Sequence, residues 1–399
     1  MTVCHPPRPC PVCTAHAGTK LFRQTFASLS SGSLLEGFDL MLCEACGAAY
    51  ADDLPAQSAF DHYYAAMSKY EYGAQSGRPS SSDLARFREI TDLVQPHLTN
   101  GMRLLDVGCA TGGLLAEFKA RGFANVLGVD PSPSCARLAG ELYDVPAEAL
   151  TIAELHQLSG KADVLFLTGV LEHVRDVDAS ITHLASCLEA DGLFYIEVPD
   201  ATRYDQHFSA PYQLLSMEHI NYFSPGTLTH LLARHGFAPV FVTRLIRHLS
   251  PQAIEPCMGG LFRRQAGPIL PPQEPDAELR PALSRYLALS GEVEKRLHTR
   301  IDALVDAAVP LAVWGTGTHT LRLLKTSRLA QANIVAFIDS NRNYQNKQLK
   351  GIPILAPESL AGLPDVEILI SSQVAEAVIY ETITSDLRLP NLAHRLYAE

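Results

Sequence analysis

The stretch Met102-Arg103-Leu104-Leu105-Asp106-Val107-Gly108-Cys109-Ala110-Thr111-Gly112-Gly113-Leu114-Leu115 limits what this chain can fold into more than any other. A short apolar run holds an acid near its end, a turn of glycine and other small residues follows, and a second apolar run begins at once. This pattern reads as a buried parallel strand passing through a tight turn into a helix, the first half of a βαβ unit. Gly108 and Gly112 supply backbone conformations closed to other residues, and the missing side chains let a ligand approach the main chain. Val126-Leu127-Gly128-Val129-Asp130 is a second apolar strand. It ends in an acid at an interval near the roughly twenty residues expected for a carboxylate that accepts from both ribose hydroxyls. Strand-like and helix-like segments alternate from Leu104 onward, so the expected class is α/β with a Rossmann-like centre.

Ahead of that centre lie two C-x-x-C knuckles, Cys10-Pro11-Val12-Cys13 and Cys43-Glu44-Ala45-Cys46. Each presents two thiolates from a tight turn, and four sulfurs fill a tetrahedral shell with no position open to activate water, so the expected occupant is structural zinc. Buried thiols or a redox pair are the alternatives, but a redox C-x-x-C normally stands alone beside a βαβ pattern. Of the nine cysteines, Cys4 lies outside the pattern, and the four later ones fall in apolar segments that favour packing.

Behind the centre, the prolines of Gly267-Pro268-Ile269-Leu270-Pro271-Pro272-Gln273-Glu274-Pro275 mark a linker. A long helix follows over 277–308, with Leu279, Leu283, Tyr286, Leu287, Leu289, Val293, Leu297, Ile301 and Leu304 at helical spacing; it is expected to pack between domains. Leu311-Ala312-Val313-Trp314-Gly315-Thr316-Gly317 and Ile334-Val335-Ala336-Phe337-Ile338-Asp339 then repeat the strand, glycine turn and strand-ending acid, without a third glycine. The expected order is a zinc-binding domain over 1–75, the central α/β domain over 76–266, a linker with the long helix over 267–308, and a C-terminal Rossmann-like domain over 309–399. A chain of 399 residues suits two or three domains. A net charge of -11 without a basic block argues against nucleic acid as partner. No apolar run approaches membrane-spanning length and the start lacks a secretory pattern, so a cytoplasmic enzyme with a small-molecule substrate and no membrane partner is expected.

The strand Val164-Leu165-Phe166-Leu167 leads into Thr168-Gly169-Val170-Leu171-Glu172-His173 at the carboxyl edge of the sheet, where ligands bind in such folds. With Asp106 opening a turn that lacks the G-x-G-x-x-G spacing, residues from about 104 to 237 resemble the class I S-adenosylmethionine-dependent methyltransferases. The resemblance implies S-adenosylmethionine as cofactor, with Asp106, Gly108, Ala110 and Gly112 in the first motif and Asp130 on the ribose. Thr168 and Glu172 complete the implied binding set, and Gly192-Leu193-Phe194-Tyr195-Ile196-Glu197-Val198-Pro199 is the family's later strand. NAD remains the other reading of the fingerprint. No N/D-P-P-Y/F sequence follows the strand, which disfavours methylation of base or glutamine amines.

Ser216-Met217-Glu218-His219-Ile220-Asn221-Tyr222-Phe223-Ser224-Pro225 gathers an acid, a histidine and a tyrosine before a helix over 226–235. A free imidazole titrates near ~6.5, which suits His219 to general-base work; capping or packing the helix is the bland alternative. Paired knuckles, the methyltransferase core, Glu172-His173, Glu218-His219 and the last Rossmann-like domain together resemble the zinc-containing deoxysugar C-methyltransferases. The resemblance implies a nucleotide-linked 4-keto sugar that loses the proton on carbon 3 and takes the methyl group there through an enolate. It maps the base onto His219 with Glu218 beside it and a second histidine onto His173, with Tyr222 or His173 donating to the oxyanion. The family's segment of tyrosines, paired serines and a histidine is altered to Tyr63-Tyr64-Ala65-Ala66-Met67-Ser68-Lys69-Tyr70-Glu71-Tyr72, with Ser80-Ser81-Ser82 further on, and Tyr70 is the candidate tyrosine. The last domain resembles those accompanying sugar-modifying enzymes, which leaves a nucleotide-sugar platform, a structural remnant or an NAD site open. O- or N-methylation of another small metabolite, or a non-catalytic scaffold, are the competing functions.

Overall fold

A computed structural model describes residues 7–28, 34–66, 78–249, 253–267, 269–270, 274–342 and 344–398. Strands β1 (Gly18–Thr25), β2 (Gly37–Cys43) and β3 (Ala49–Asp52) form an N-terminal sheet in that order. Its fourth strand comes from far along the chain: β9 (Asn221–Tyr222) pairs antiparallel with β3, Ala49 opposite Tyr222. Both knuckles belong to this module. The turns close through backbone bonds from Thr14 N to Cys10 O (2.9 Å) and from Gly47 N to Cys43 O (2.8 Å). Gly47 has φ 77°, and a Cβ there would lie 2.5 Å from the Asp276 carbonyl oxygen, so only glycine fits.

The central sheet contains β4 (Leu104–Val107), β5 (Val126–Asp130), β6 (Ala147–Ala149), β7 (Ala162–Thr168) and β8 (Leu188–Pro199) in parallel. The hairpin of β10 (Phe237–His248) and β11 (Ile254–Arg264) adds antiparallel on β8, giving the order β10-β11-β8-β7-β4-β5-β6. Strand order reverses at β4, and the crevice at that switch point is where open parallel sheets bind ligands. Helices α1 (Gln57–Ala66) and α2 (Ser81–Val94) precede the sheet; α3 (Gly113–Ala120), α4 (Pro133–Tyr143), α5 (Val177–Ser186) and α6 (Pro225–Arg234) connect its strands. Buried aliphatic and aromatic side chains cover both faces of β4 and β7, as strands buried on two sides require.

After α7 (Leu279–Ala307), strands β12 (Leu311–Trp314), β13 (Ile334–Ile338), β14 (Gln348–Leu349), β15 (Ile352–Leu355), β16 (Glu367–Ile370) and β17 (Ala393–Arg395) form a third sheet in the order β14-β15-β13-β12-β16-β17. It is parallel except for β14, with α8 (Thr318–Thr326) and α9 (Glu376–Glu381) beside it in sequence. The protein is therefore α/β with an antiparallel N-terminal sheet, a Rossmann-like centre and a mixed C-terminal sheet. Helix α7 falls where its periodicity predicts; Leu283, Tyr286, Leu297 and Ile301 are buried, while Leu289 is exposed.

The compact units are not contiguous in sequence. One comprises Met1–Phe22, Leu40–His207 and Glu218–Ala282; the other comprises Arg23–Asp39, Phe208–Met217 and Leu283–Glu399. Hydrophobic spacing identifies strands and helices but not which sheet a passing segment joins. Cys109, Cys135, Cys187 and Cys257 are buried in line with a packing role. Among the described residues no helix is long and apolar enough to cross a membrane.

Candidate active site

The turn after β4 is built as its small residues suggest. Gly108 (φ 81°), Ala110 (φ 48°) and Gly112 (φ 81°) are left-handed, and a Cβ on Gly108 would lie 2.4 Å from Val170 Cγ2. The backbone N–H groups of Gly108 and Cys109 donate to Val129 O at 2.7 and 3.0 Å, tying the turn to β5. Asp130 completes the tie, accepting from Ala110 N and Ser132 N, each at 2.9 Å. Asp106 lies one layer deeper. It is fully buried, Oδ1 has no hydrogen-bond partner among the described residues, and burial pushes its carboxyl up to about 7 despite Arg86.

A cavity of about 400 Å³ opens at this edge. Gly108, Asp130, Leu150, Ile152 and Thr168 line it, and so do Tyr64, His173 and Glu218. Of the expected cofactor residues Gly108, Asp130 and Thr168, and of the expected catalytic set His173 and Glu218, thus line one cavity, whereas Asp106, Ala110, Gly112 and Glu172 are not among its lining residues. His219 is not among its lining residues; its ring packs edge-on against that of His173 at 4.8 Å.

Hydrogen bonding settles the state of His173. Nδ1 lies 2.9 Å from the Glu218 carbonyl oxygen and 3.0 Å from Tyr64 Oη. A carbonyl only accepts, so Nδ1 carries a proton, and in the neutral ring the lone pair is then on Nε2. In that neutral form His173 is able to take a proton through Nε2. Glu172 Oε1 is 3.9 Å from Nε2. Burial pushes the Glu172 carboxyl up to about 8, so it is largely neutral at pH 7, and its Oε2 has no hydrogen-bond partner among the described residues. Burial, and next the Glu218 charge, raise Tyr64 well above the usual phenol range, which keeps it protonated.

Two placements differ from the expectation. The carboxylate near His219 Nδ1 is Glu255, at 4.0 Å, whereas Glu218 accepts from Tyr63 Oη at 2.9 Å. Tyr222 is buried on β9 and its hydroxyl donates to the His219 carbonyl at 2.7 Å, so it braces the loop. Tyr70 lies outside the described residues. Sequence reasoning missed Arg86, whose Nε donates to Glu197 at 2.6 Å in a buried pair. Its Nη2 is buried without a hydrogen-bond partner among the described residues, 3.7 Å from where a Cβ on Gly169 (φ 71°) would stand. Arg247 Nη1 is 3.2 Å from the same point.

In the N-terminal module, Cys10 and Cys46 sulfurs are 3.6 Å apart and Cys13 and Cys43 sulfurs 3.5 Å, all four within 4.8 Å. Tetrahedral zinc with sulfurs at about 2.3 Å separates them by roughly 3.8 Å, which this cluster approaches.

Residues 82–241 match a family model described as a methyltransferase domain. The C-methyltransferase NovU of Streptomyces niveus is 27% identical over 337 residues, 78% of this chain and 76% of that protein. A ubiquinone biosynthesis O-methyltransferase of Sinorhizobium fredii is 35% identical over 116 residues, 28% of this chain and 46% of its own length. The solved 1,6-didemethyltoxoflavin-N1-methyltransferase of Burkholderia thailandensis covers 55% of this chain and 96% of its own, at 22% identity and a TM-score of 0.42. The matched segment contains the glycine turn and both strand-ending acids, and residues 82–241 are a class I S-adenosylmethionine-dependent methyltransferase domain, which makes this chain a methyltransferase.

Proposed function

We propose that the enzyme methylates the carbon beside the ketone of a nucleotide-linked keto-deoxysugar, through an enolate. The observation that carries this reading is the single cavity joining Gly108, Asp130 and Thr168 to Tyr64, His173 and Glu218. A hydroxyl acceptor needs little help to lose its proton, whereas a carbon acid needs a positioned base and a donor for the enolate oxygen. The similarity to a C-methyltransferase along most of both chains supports carbon as the acceptor.

Bound S-adenosylmethionine supplies an electrophilic methyl group. Asp130 suits the ribose hydroxyls, the Gly108–Gly112 turn the close backbone approach, and Arg86 the carboxylate. His173 Nε2 takes the proton from the substrate carbon, His219 packs the ring in place, and Tyr64 is the protonated donor for the enolate oxygen. Glu218 holds the His173 tautomer through its carbonyl. Zinc in the Cys10, Cys13, Cys43 and Cys46 cluster is structural, because four thiolates leave no open coordination position.

The test is a panel of nucleotide-linked 4-keto sugars incubated with the protein in heavy water. Deuterium should enter beside the ketone without cofactor, and a carbon-methylated product should appear by mass spectrometry once cofactor is added. No exchange, together with methyl transfer to oxygen or nitrogen of another metabolite, would instead favour the reading behind the shorter O-methyltransferase match.

A further inference from the structure

Glu172, His173 and His219 belong to one compact unit, and one ligand atom from each lies within 4.8 Å of the other two. Glu172 Oε1 stands 3.9 Å from His173 Nε2, and the two imidazole rings pack at 4.8 Å. A divalent ion held at about 2.0–2.2 Å by imidazole nitrogen and carboxylate oxygen places those atoms roughly 3.3 Å apart, so side-chain rotations of about 1 Å complete the shell. Glu172 supplies a second observation. It is 1% exposed, and its Oε2 has no hydrogen-bond partner among the described residues. A buried carboxyl oxygen in that state costs free energy unless a donor or an ion reaches it. His173 is oriented as metal-binding histidines usually are: Nδ1 donates to a backbone carbonyl, Glu218 O at 2.9 Å, which leaves Nε2 on the side of Glu172.

The donor set selects the kind of ion. Two imidazoles and one carboxylate suit divalent transition ions such as zinc, whereas magnesium and calcium prefer shells of oxygen. Three ligands leave coordination positions open, unlike the four thiolates of the knuckles. Charge around the cluster permits a cation. Glu255 adds a second buried carboxylate, with Oε1 4.0 Å from His219 Nδ1. Arg86 and Arg247 oppose it, but Arg86 is engaged by Glu197 at 2.6 Å and Arg247 lies 4.0 Å from Glu255. An ion can also get in, because His173 lines the cavity and the His173 and His219 side chains are 15% and 16% exposed.

We propose that Glu172, His173 and His219 form a second metal site, for a zinc-like divalent ion, and that an ion bound there stops methyl transfer by occupying the His173 lone pair. The inhibitory half rests on the reading of His173 as the base given above; the metal site does not. Ion and substrate proton compete for the same electron pair on Nε2, so a loaded site cannot deprotonate the substrate carbon. On binding, the ion displaces the Glu172 proton to solvent. The cofactor turn over Gly108–Gly112 contributes no ligand, so cofactor binding is independent of the ion.

The test uses the full chain with its cysteine cluster loaded. Equilibrium dialysis against Zn²⁺, read by elemental analysis, should find one ion per chain beyond that of the cysteines, and a weak chelator should remove it first. The extra ion should be lost in His173→Ala and in His219→Ala, and Mg²⁺ should not displace it. Co²⁺ in the same site should give visible absorption bands without the thiolate charge-transfer band that cobalt among cysteines produces. Saturating Zn²⁺ should lower turnover by about 100-fold or more, the least that blocking a general base removes, at unchanged S-adenosylhomocysteine affinity. No extra ion in the wild type, or an extra ion retained in both histidine variants, overturns the metal site. If an alanine variant fails to fold, His173→Gln and His219→Gln are read in the same dialysis. An extra ion bound at full turnover overturns the inhibition and the base reading together, while the metal count still decides the site.

Discussion

Replacing Asp130 by asparagine tests the cofactor cleft at its most constrained point. Asp130 is 8% exposed, and its two oxygens accept separately from Ala110 N and Ser132 N at 2.9 Å. An asparagine amide has one oxygen. Whichever way it turns, its NH₂ faces one of those two N–H groups, donor against donor. An orphaned buried donor costs about 1–3 kcal/mol, so folding stability should fall by roughly 2 kcal/mol. The ribose hydroxyls also lose a charged acceptor; bonds to charged groups contribute about 1.5–3 kcal/mol against about 0.5–1.5 for neutral ones. The difference of about 1.5 kcal/mol weakens cofactor binding roughly tenfold. Titration calorimetry with S-adenosylhomocysteine measures it, and urea unfolding reads the stability term. Asp339→Asn is the matched control, since Asp339 follows β13 and takes the same kind of bonds, from Thr316 in the turn after β12 and from Asn341. It should lose stability and leave cofactor affinity unchanged. Affinity within threefold of wild type in Asp130→Asn, or an equal loss in Asp339→Asn, would refute the reasoning.

His173→Ala should lower turnover by about 10²–10⁴, the usual range for a general base, with cofactor affinity nearly unchanged. His219→Ala should cost less, up to about 100-fold, because it removes the ring packed against the base; steady-state kinetics with calorimetry separates these outcomes, and unchanged turnover in both variants sinks the base assignment. Glu172 has its pKa raised by burial from 4.5 to about 8, so the folded chain keeps a proton that the unfolded chain releases. Stability should therefore decline as pH rises from about 4.5 to about 8 and level off above that. Glu172→Gln should gain on wild type in melting temperature between pH 5 and pH 9, and parallel curves would count against the burial argument. Purified protein should contain one zinc per chain by elemental analysis, and Cys43→Ala should lose the metal and unfold at lower urea, since the site and its small module form together. Metal-free wild-type protein prepared without chelator would exclude the site.

Local rules were legible wherever the chemistry is local. The acid, glycine and acid of Asp106, Gly108 and Asp130 belong to one strand–turn–helix–strand unit, so their spacing alone carries the α/β reading and the position of the cofactor turn. The knuckles were equally readable, because each needs only a four-residue turn, and the four sulfurs do converge. The helix over Leu279–Ala307 followed from its period. Matters differ for the proposed catalytic cluster. His173 and His219 meet because the segment that carries Glu218 crosses the edge of the sheet, and no period in the sequence encodes that crossing. Glu218 beside His219 suggested a pair, yet neighbours in an irregular segment point apart, and the carboxylate near the His219 nitrogen arrives from β11 as Glu255. Tyr64 reaches the cavity, and Arg86 reaches Glu197, from helices whose sequences show ordinary mixed polarity. Composition also does not show that residues 23–39 and 208–217 share a compact unit with residues 283–399, within which Gln24 bonds Leu215 and Tyr286 bonds Leu214. Sequence by itself determined the elements and the cofactor turn, since backbone conformation and burial pattern act over a few residues. Tertiary structure decided which charges, hydroxyls and rings face one another, because those contacts join positions up to 298 residues apart, and only the packing of whole sheets and helices brings them within bonding distance.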